Sequence, residues 1–174
     1  MIKHSAEQQL IQLLQLAYSA EMAAAYAYRG HWKSVKNIEE RAQIKIIEDE
    51  EWQHRKLVGE MLQELGVLPS KWKEKKSLII GRILGFLCHF TGWLAPMYGA
   101  GKLESKNIKE YEVAARFARD SGHQKYIECL LKMAEVEWEH EAFFRAQVLK
   151  HFFGKKLPIW SIPPPKENIR DSFF

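Results

Sequence analysis

The sequence predicts an all-α fold: an antiparallel four-helix bundle with a crossover between its second and third helices and an irregular, proline-rich C-terminal tail. Glycine and proline are sparse until the end of the chain, no run of β-branched residues alternates with polar ones, and apolar residues recur at intervals of three and four in four long segments. With 174 residues, 47% hydrophobic and 28% charged, the chain is long enough for one domain with a real core. The expected boundaries are a bundle over 1–154 and a tail over 155–174.

In the first segment Leu10, Leu14, Ala17, Glu21, Ala24 and Tyr28 fall on one face of a helix over about residues 6–32, with Glu21 in the middle of the stripe. The second carries Ile44, Ile47, Glu51, His54, Val58, Met61 and Leu65 and stops at Gly66, with Pro69 beyond. The third runs Ile83, Leu87, Phe90, Leu94, Met97, Gly101, Glu104, Ile108, Tyr111, Ala115 and Ala118, with a kink expected at Pro96. After a break at Asp120-Ser121-Gly122 the fourth gives Tyr126, Leu130, Met133, Glu137, His140 and Phe144, ahead of Gly154 and Pro163-Pro164-Pro165.

Each predicted helix thus puts a carboxylate, or a carboxylate and an imidazole, into an otherwise apolar stripe. Buried carboxylates are very costly without a cationic partner, and a pair of metal ions meets that need. Hairpin geometry agrees: residues level with each other in an antiparallel pair lie equidistant from the turn. The midpoint of Glu21 and Glu51 falls in Lys33-Ser34-Val35-Lys36-Asn37, and that of Glu104 and Glu137 at Asp120-Ser121-Gly122, the two expected turns. An E-x-x-H motif alone carries little weight. The order Glu21, Glu51-x-x-His54, Glu104, Glu137-x-x-His140, in register with the core stripe and repeated at an offset of 83 to 86 residues, carries much more. In a four-helix bundle this arrangement is a carboxylate-bridged di-metal site: Glu51 and Glu137 bridge, His54 and His140 each add a nitrogen, and Glu21 and Glu104 are terminal ligands. Mixed oxygen and nitrogen donors suit iron or manganese better than zinc.

This ordered set, Glu21, Glu51-Trp52-Gln53-His54, Glu104, Glu137-Trp138-Glu139-His140, resembles the ferritin-like di-iron superfamily and, within it, the demethoxyubiquinone hydroxylase family. Tyr18-Ser19-Ala20-Glu21, Tyr28-Arg29-Gly30, the apolar Leu84-Gly85-Phe86-Leu87 and Tyr111, seven residues after Glu104, add to the likeness over about residues 10–150. The resemblance implies reductive activation of dioxygen at two irons, fed by an electron donor, and insertion of one oxygen atom into a quinone ring at a membrane surface, as in ubiquinone biosynthesis. Tyr111 is the residue outside the ligands placed nearest the chemistry, with core packing as its other reading, as for Tyr26 and Tyr28. The chain departs from the family pattern where Glu110 and Ala134 stand in place of a histidine before the tyrosine and an acidic residue ahead of the last E-x-x-H. It also ends in Leu157-Pro158-Ile159-Trp160-Ser161-Ile162-Pro163-Pro164-Pro165 where the family has a further helix.

From Ile83 to Gly101 there are 19 residues without a formal charge, long enough for a membrane span, but the interspersed Gly, Pro and His89 and the nearness of Glu104 argue against one. The segment reads instead as a patch lying on a bilayer, flanked by Lys71, Lys73, Lys75, Lys76 and Arg82 with Trp72 and Trp93, through which a lipid-soluble substrate would enter. A buried helix in a homodimer interface is the other reading.

Glu48, Glu50, Glu139 and Glu141 are expected to be solvated or to support the ligands. His4, His31, His123 and His151 are expected at the surface and His89 in packing. Trp52 and Trp138 are read as packing against neighbouring helices. A net charge of +4, from 26 basic and 22 acidic residues, argues against a dedicated nucleic-acid protein while permitting attraction to an anionic surface, and no nucleophilic triad or phosphate loop is present. Cys88 and Cys129 are expected to be reduced and buried. The first ten residues read as neither a secretory signal nor a transit peptide, so the expected location is the cytoplasm, peripheral to the inner face of the membrane. Two other functions fit the same residues: a ferritin-like iron oxidase or peroxidase, and a membrane-associated helical scaffold whose metal is structural or absent.

Overall fold

The computed structural model describes residues 2–171 and 173, with side chains from residue 5 onward. Among these residues there are six α-helices, one 3-10 turn and no strand: α1 (Ile2–Ser34), α2 (Ile38–Glu64), α3 (Lys71–Leu87), α4 (Leu94–Ser121), α5 (Gln124–Lys150) and α6 (Asn168–Asp171), with the 3-10 turn at Gly154–Lys156. The chain forms two compact units, residues 11–96 and residues 1–10 with 97–174.

In the unit of residues 11–96, α1 and α2 form an antiparallel hairpin. Asn37 begins α2 by accepting the Glu40 amide at 3.0 Å on its side-chain oxygen, which satisfies one of the orphan donors of the first turn. The hairpin register is written in its contacts: Trp32 and Arg29 reach Glu48, Tyr26 stacks edge-on against Trp52, Tyr18 lies on Gly59, and Gln15 bonds the Leu68 carbonyl. Helix α3, capped by Ser70, lies against α1 through glycine. A Cβ on Gly81 would fall 2.4 Å from the Ala23 carbonyl, and one on Gly85 would fall 2.6 Å from that of Tyr26. Only hydrogen side chains allow the two backbones this close.

The third predicted helix is therefore two helices. The break lies at 88–93, where Gly92 takes φ +75, rather than at Pro96. Pro96 is the third residue of α4, where a backbone N–H would have no helical partner anyway, so the ring interrupts nothing. The apolar stripe also fails in its first part: Ile83, Leu87 and Phe90 are exposed, whereas Gly81 and Gly85 are the buried positions of α3. No helix among the described residues is long and apolar enough to cross a membrane.

In the other unit α4 and α5 form a second antiparallel hairpin. Gly122, at φ +86, makes the turn, and the His123 amide returns to the Ala118 carbonyl at 2.8 Å, a common way of ending a helix on a left-handed glycine. The start of α1 joins this unit, with Glu7 bonded to His123 at 3.0 Å. The tail is not loose: Tyr98, Trp138, Glu139, Glu128 and Glu135 bond residues 158–170, and Ile169 is buried.

Candidate metal centre

Each unit carries a buried triad of two glutamates and one histidine. In the unit of residues 11–96, Glu21 from α1 and Glu51 and His54 from α2 each offer a donor atom, all within 4.8 Å of one another, and their exposures are 3%, 0% and 3%. The other triad, Glu104 from α4 with Glu137 and His140 from α5, meets the same limit at 0%, 0% and 2% exposure. The E-x-x-H spacing accounts for half of this, because residues three apart on a helix share a face. Hairpin register accounts for the other half. Both glutamate pairs read as level from their turns, Glu21 with Glu51 and Glu104 with Glu137, are brought together.

The donor set fits a metal. Donors around one ion at bonds of about 2.1 Å stand about 3 to 4 Å apart, so each triad needs only a small contraction to close on an ion. Two carboxylates and one imidazole form a hard to borderline set suited to divalent iron or manganese. Each triad could therefore hold a metal ion. Within the second, His140 Nδ1 lies 3.7 Å from Glu137 Oε2.

One residue beside the ligands escapes the sequence reading. Asn107 donates through Nδ2 to Glu104 Oε2 at 2.8 Å and approaches Glu137 Oε2 at 3.4 Å. Its signal was the spacing: Asn107 follows Glu104 as His54 follows Glu51.

Of the two expectations for Glu48 and Glu141, solvated or supporting the ligands, burial at 2% and 0% rules out the first, and each is pinned. Glu48 lies one turn before Glu51 and accepts from Arg29 Nε at 2.8 Å and Trp32 Nε1 at 2.6 Å. Glu141 follows His140 and accepts on Oε1 from Trp160 Nε1 at 2.8 Å and Arg145 Nε at 2.9 Å. An indole and a guanidinium neutralise and orient each carboxylate. Glu50 is half-buried and Glu139 exposed, the latter bonded by Lys166.

Tyr111 and Tyr28 are buried, Tyr26 half-buried, Glu110 exposed and Ala134 buried. Trp52 packs on Tyr26 with ring centroids 5.5 Å apart, and Trp138 donates to the Pro164 carbonyl at 2.9 Å. His31 is not at the surface. It is buried, and desolvation lowers its pKa to about 4. His89, expected in packing, is exposed because the face of α3 turned to α1 is the glycine face. His123 and His151 are half-buried, and the side chain of His4 lies outside the described residues. Cys88 and Cys129 are free thiols, half-buried rather than buried. Burial pushes Cys88 up to about 11, and its Sγ donates to the Leu84 carbonyl.

No family model, curated protein or solved structure matches the chain.

Proposed function

We propose that the chain is a di-iron oxidoreductase of ferritin-like topology, a monooxygenase of the demethoxyubiquinone hydroxylase type acting on a hydrophobic, quinone-like substrate at a membrane surface. The observation that carries this reading is the pair of buried Glu, Glu, His triads, one in each hairpin, on the residues that the repeated Glu and E-x-x-H order singles out. Glu51 and Glu137 would serve as the bridging ligands, and Glu21, His54, Glu104 and His140 as the terminal ones. Iron is the metal and manganese the alternative. A ferrous pair held there would supply two electrons to dioxygen; one oxygen atom would enter the substrate and the other would leave as water with two protons, the substrate's C–H bond giving the other two electrons and an external donor re-reducing the irons.

The protein's own part is to hold and orient. In each hairpin two buried carboxylates would repel each other and resist desolvation if ionised, a cost that a bound cation would offset. Arg29 and Trp32 at Glu48, and Trp160 and Arg145 at Glu141, supply donors to the carboxylates next in line, so that those stay off the ions. Tyr111, on α4 two turns past Glu104, is the residue proposed to act beside the substrate. An apolar substrate reaching the protein from a bilayer is supported by the exposed α3 face and the turn after it, with Phe86 63% and Phe90 70% exposed and lysines at the start of α3.

The test is metal content of protein purified without chelator, then anaerobic ferrous loading and exposure to air with near-ultraviolet absorption recorded. About two irons per chain and a new charge-transfer band are expected. No uptake, or one tightly held zinc with no response to oxygen, overturns the reading and favours the scaffold. Oxygen consumption that depends on an added quinone and an electron donor separates a hydroxylase from an iron oxidase, which consumes oxygen with ferrous iron alone.

A further inference from the structure

We infer that the C-terminal segment belongs to the metal-binding half formed by α4 and α5, and that Trp160 is a positioning residue for Glu137 and His140. The inference rests on the metal reading proposed above.

The segment runs antiparallel to α5. Trp160 bonds Glu141, the Pro164 carbonyl takes the Trp138 N–H, Lys166 pairs with Glu139, and Arg170 pairs with Glu135 and, at 2.9 Å, with Glu128. From Trp160 to Arg170 the partners on α5 step back from Glu141 through Trp138 and Glu139 to Glu135 and Glu128, so the strap passes the level of Glu137 and His140 between its two anchored ends. Arg170 donates to both oxygens of Glu128 at 2.9 Å and also to Glu135, so the far anchor is made by three hydrogen bonds.

Trp160 touches both helices that carry the triad. Its indole donates to Glu141, the residue after His140 and one turn beyond Glu137 on α5. Its ring lies on Gly101, one turn before Glu104 on α4, so closely that a Cβ there would meet it at 2.4 Å. Tyr98 packs edge-on against the ring at 5.3 Å and donates to the Pro158 carbonyl at 2.5 Å. In antiparallel helices, one turn before Glu104 and one turn after Glu137 are the same level. Trp160, only 8% exposed, is thus a wedge that sets the α4 to α5 spacing at one end of the triad. It also fixes a charge: Glu141 Oε1 has Trp160 and Arg145 as donors, while its buried Oε2 has no hydrogen-bond partner among the described residues. Without the indole this carboxylate gains freedom beside His140.

The experiment titrates Co(II) into the full chain and four variants, following the d–d absorption bands and, separately, helix content by circular dichroism. Trp160→Ala removes wedge and donor, Trp160→Phe keeps a ring on Gly101 without the donor, Gly101→Ala pushes the ring away, and Arg170→Ala releases the far anchor only. For Trp160→Ala and Gly101→Ala, affinity for one of two ions is expected to fall about tenfold or more with shifted bands, as for other residues supporting metal ligands. Trp160→Phe should fall between these and the parent, with Arg170→Ala nearest the parent. Should Trp160→Ala fail to fold, Gly101→Ala and Trp160→Phe decide. Parental affinity and bands in the folded Trp160 and Gly101 variants would overturn the inference and leave the metal reading standing. A parent chain that binds no cobalt overturns both.

Discussion

Asn107 donates to Glu104 Oε2 at 2.8 Å from one turn further along α4, and the same Nδ2 faces Glu137 Oε2 at 3.4 Å. One neutral amide therefore sits against two buried carboxylates, lending each a hydrogen where a lone pair would otherwise face an anion. Asn107→Asp replaces the donor with a third acceptor of nearly the same shape. The metal-free variant is expected to lose about 1 to 3 kcal/mol in urea unfolding at neutral pH, the range for a buried polar group left without its partner. A divalent cation should restore most of it, because an ion bound only by the folded chain stabilises by mass action. Loss that manganese or ferrous iron leaves unchanged would mean that the new carboxylate and its two glutamate neighbours do not share a metal.

Glu51 tests the ligand assignment through opposite signs. It is 0% exposed, beside Glu21. In the metal-free chain its charge is a burden, so Glu51→Gln, which keeps the shape, should raise stability by about 1 kcal/mol or more. With metal present the order should reverse, since a neutral amide is a much poorer ligand than a carboxylate. Glu51→Ala and Glu137→Ala should each abolish uptake of two ions, measured as metal per chain after gel filtration. Two retained ions in either variant would sink the assignment.

What the sequence made legible was what hydropathy can carry. The 3-and-4 spacing located α1, α2 and α5, and the turn midpoints brought Glu21 to Glu51 and Glu104 to Glu137. Helix α3 was missed as a separate element because glycine makes its contact. Gly81 and Gly85 add nothing to an apolar count, so the periodicity followed the outward Ile83, Leu87 and Phe90 instead. His31 was misplaced, and Glu48 and Glu141 were left undecided between solvent and ligand support, for a related reason. A charged or polar residue is assigned to solvent unless its partner is visible, and Arg29, Trp32 and Trp160 lie 16 to 19 residues from the carboxylates they hold. The tail looked irregular because its order comes from side chains gripping α5, through Trp160, Lys166 and Arg170, rather than from its own backbone.

His31 should make stability depend on pH in a defined window. It lies at a cleft of about 570 Å³ between the α1 to α2 turn and the residues after α3, and the titratable groups along that cleft are Lys36, Glu40, Cys88 and His89. Burial lowers its pKa from 6.5 to about 4, so between these values the unfolded chain takes up a proton that the folded chain refuses. The stabilisation is complete above 6.5, falls with pH, and is gone near 4. At about 1.4 kcal/mol per pKa unit the total loss approaches about 3 kcal/mol. His31→Phe should flatten this share of the acid limb of the urea-unfolding profile, while the carboxylates' share persists. An acid limb identical in parent and variant would show that His31 titrates normally.

The exposed face of α3 sets the last expectation. Ile79, Ile80, Ile83, Leu84, Phe86, Leu87 and Phe90 are all more than 40% exposed, and Lys71, Lys73, Lys75 and Lys76 precede them with Trp72 at 74%. Each large apolar side chain moved from water into lipid contributes up to about 2 kcal/mol, and each lysine near an anionic headgroup about 1 kcal/mol, so the apolar face supplies the larger share and the lysines the preference for anionic lipid. Together they predict binding to vesicles containing anionic lipid, weaker binding to zwitterionic vesicles, and a decline as salt rises. Ile83→Glu with Phe86→Glu should lower the vesicle affinity at least tenfold while leaving helix content and metal uptake unchanged, because both side chains face outward from the Gly81 and Gly85 contact with α1. If the parent ignores anionic vesicles but sediments as a dimer that the same two substitutions dissociate, the face is covered by a second copy of the chain. A hydrophobic substrate of the kind proposed would then have to reach the triads from water.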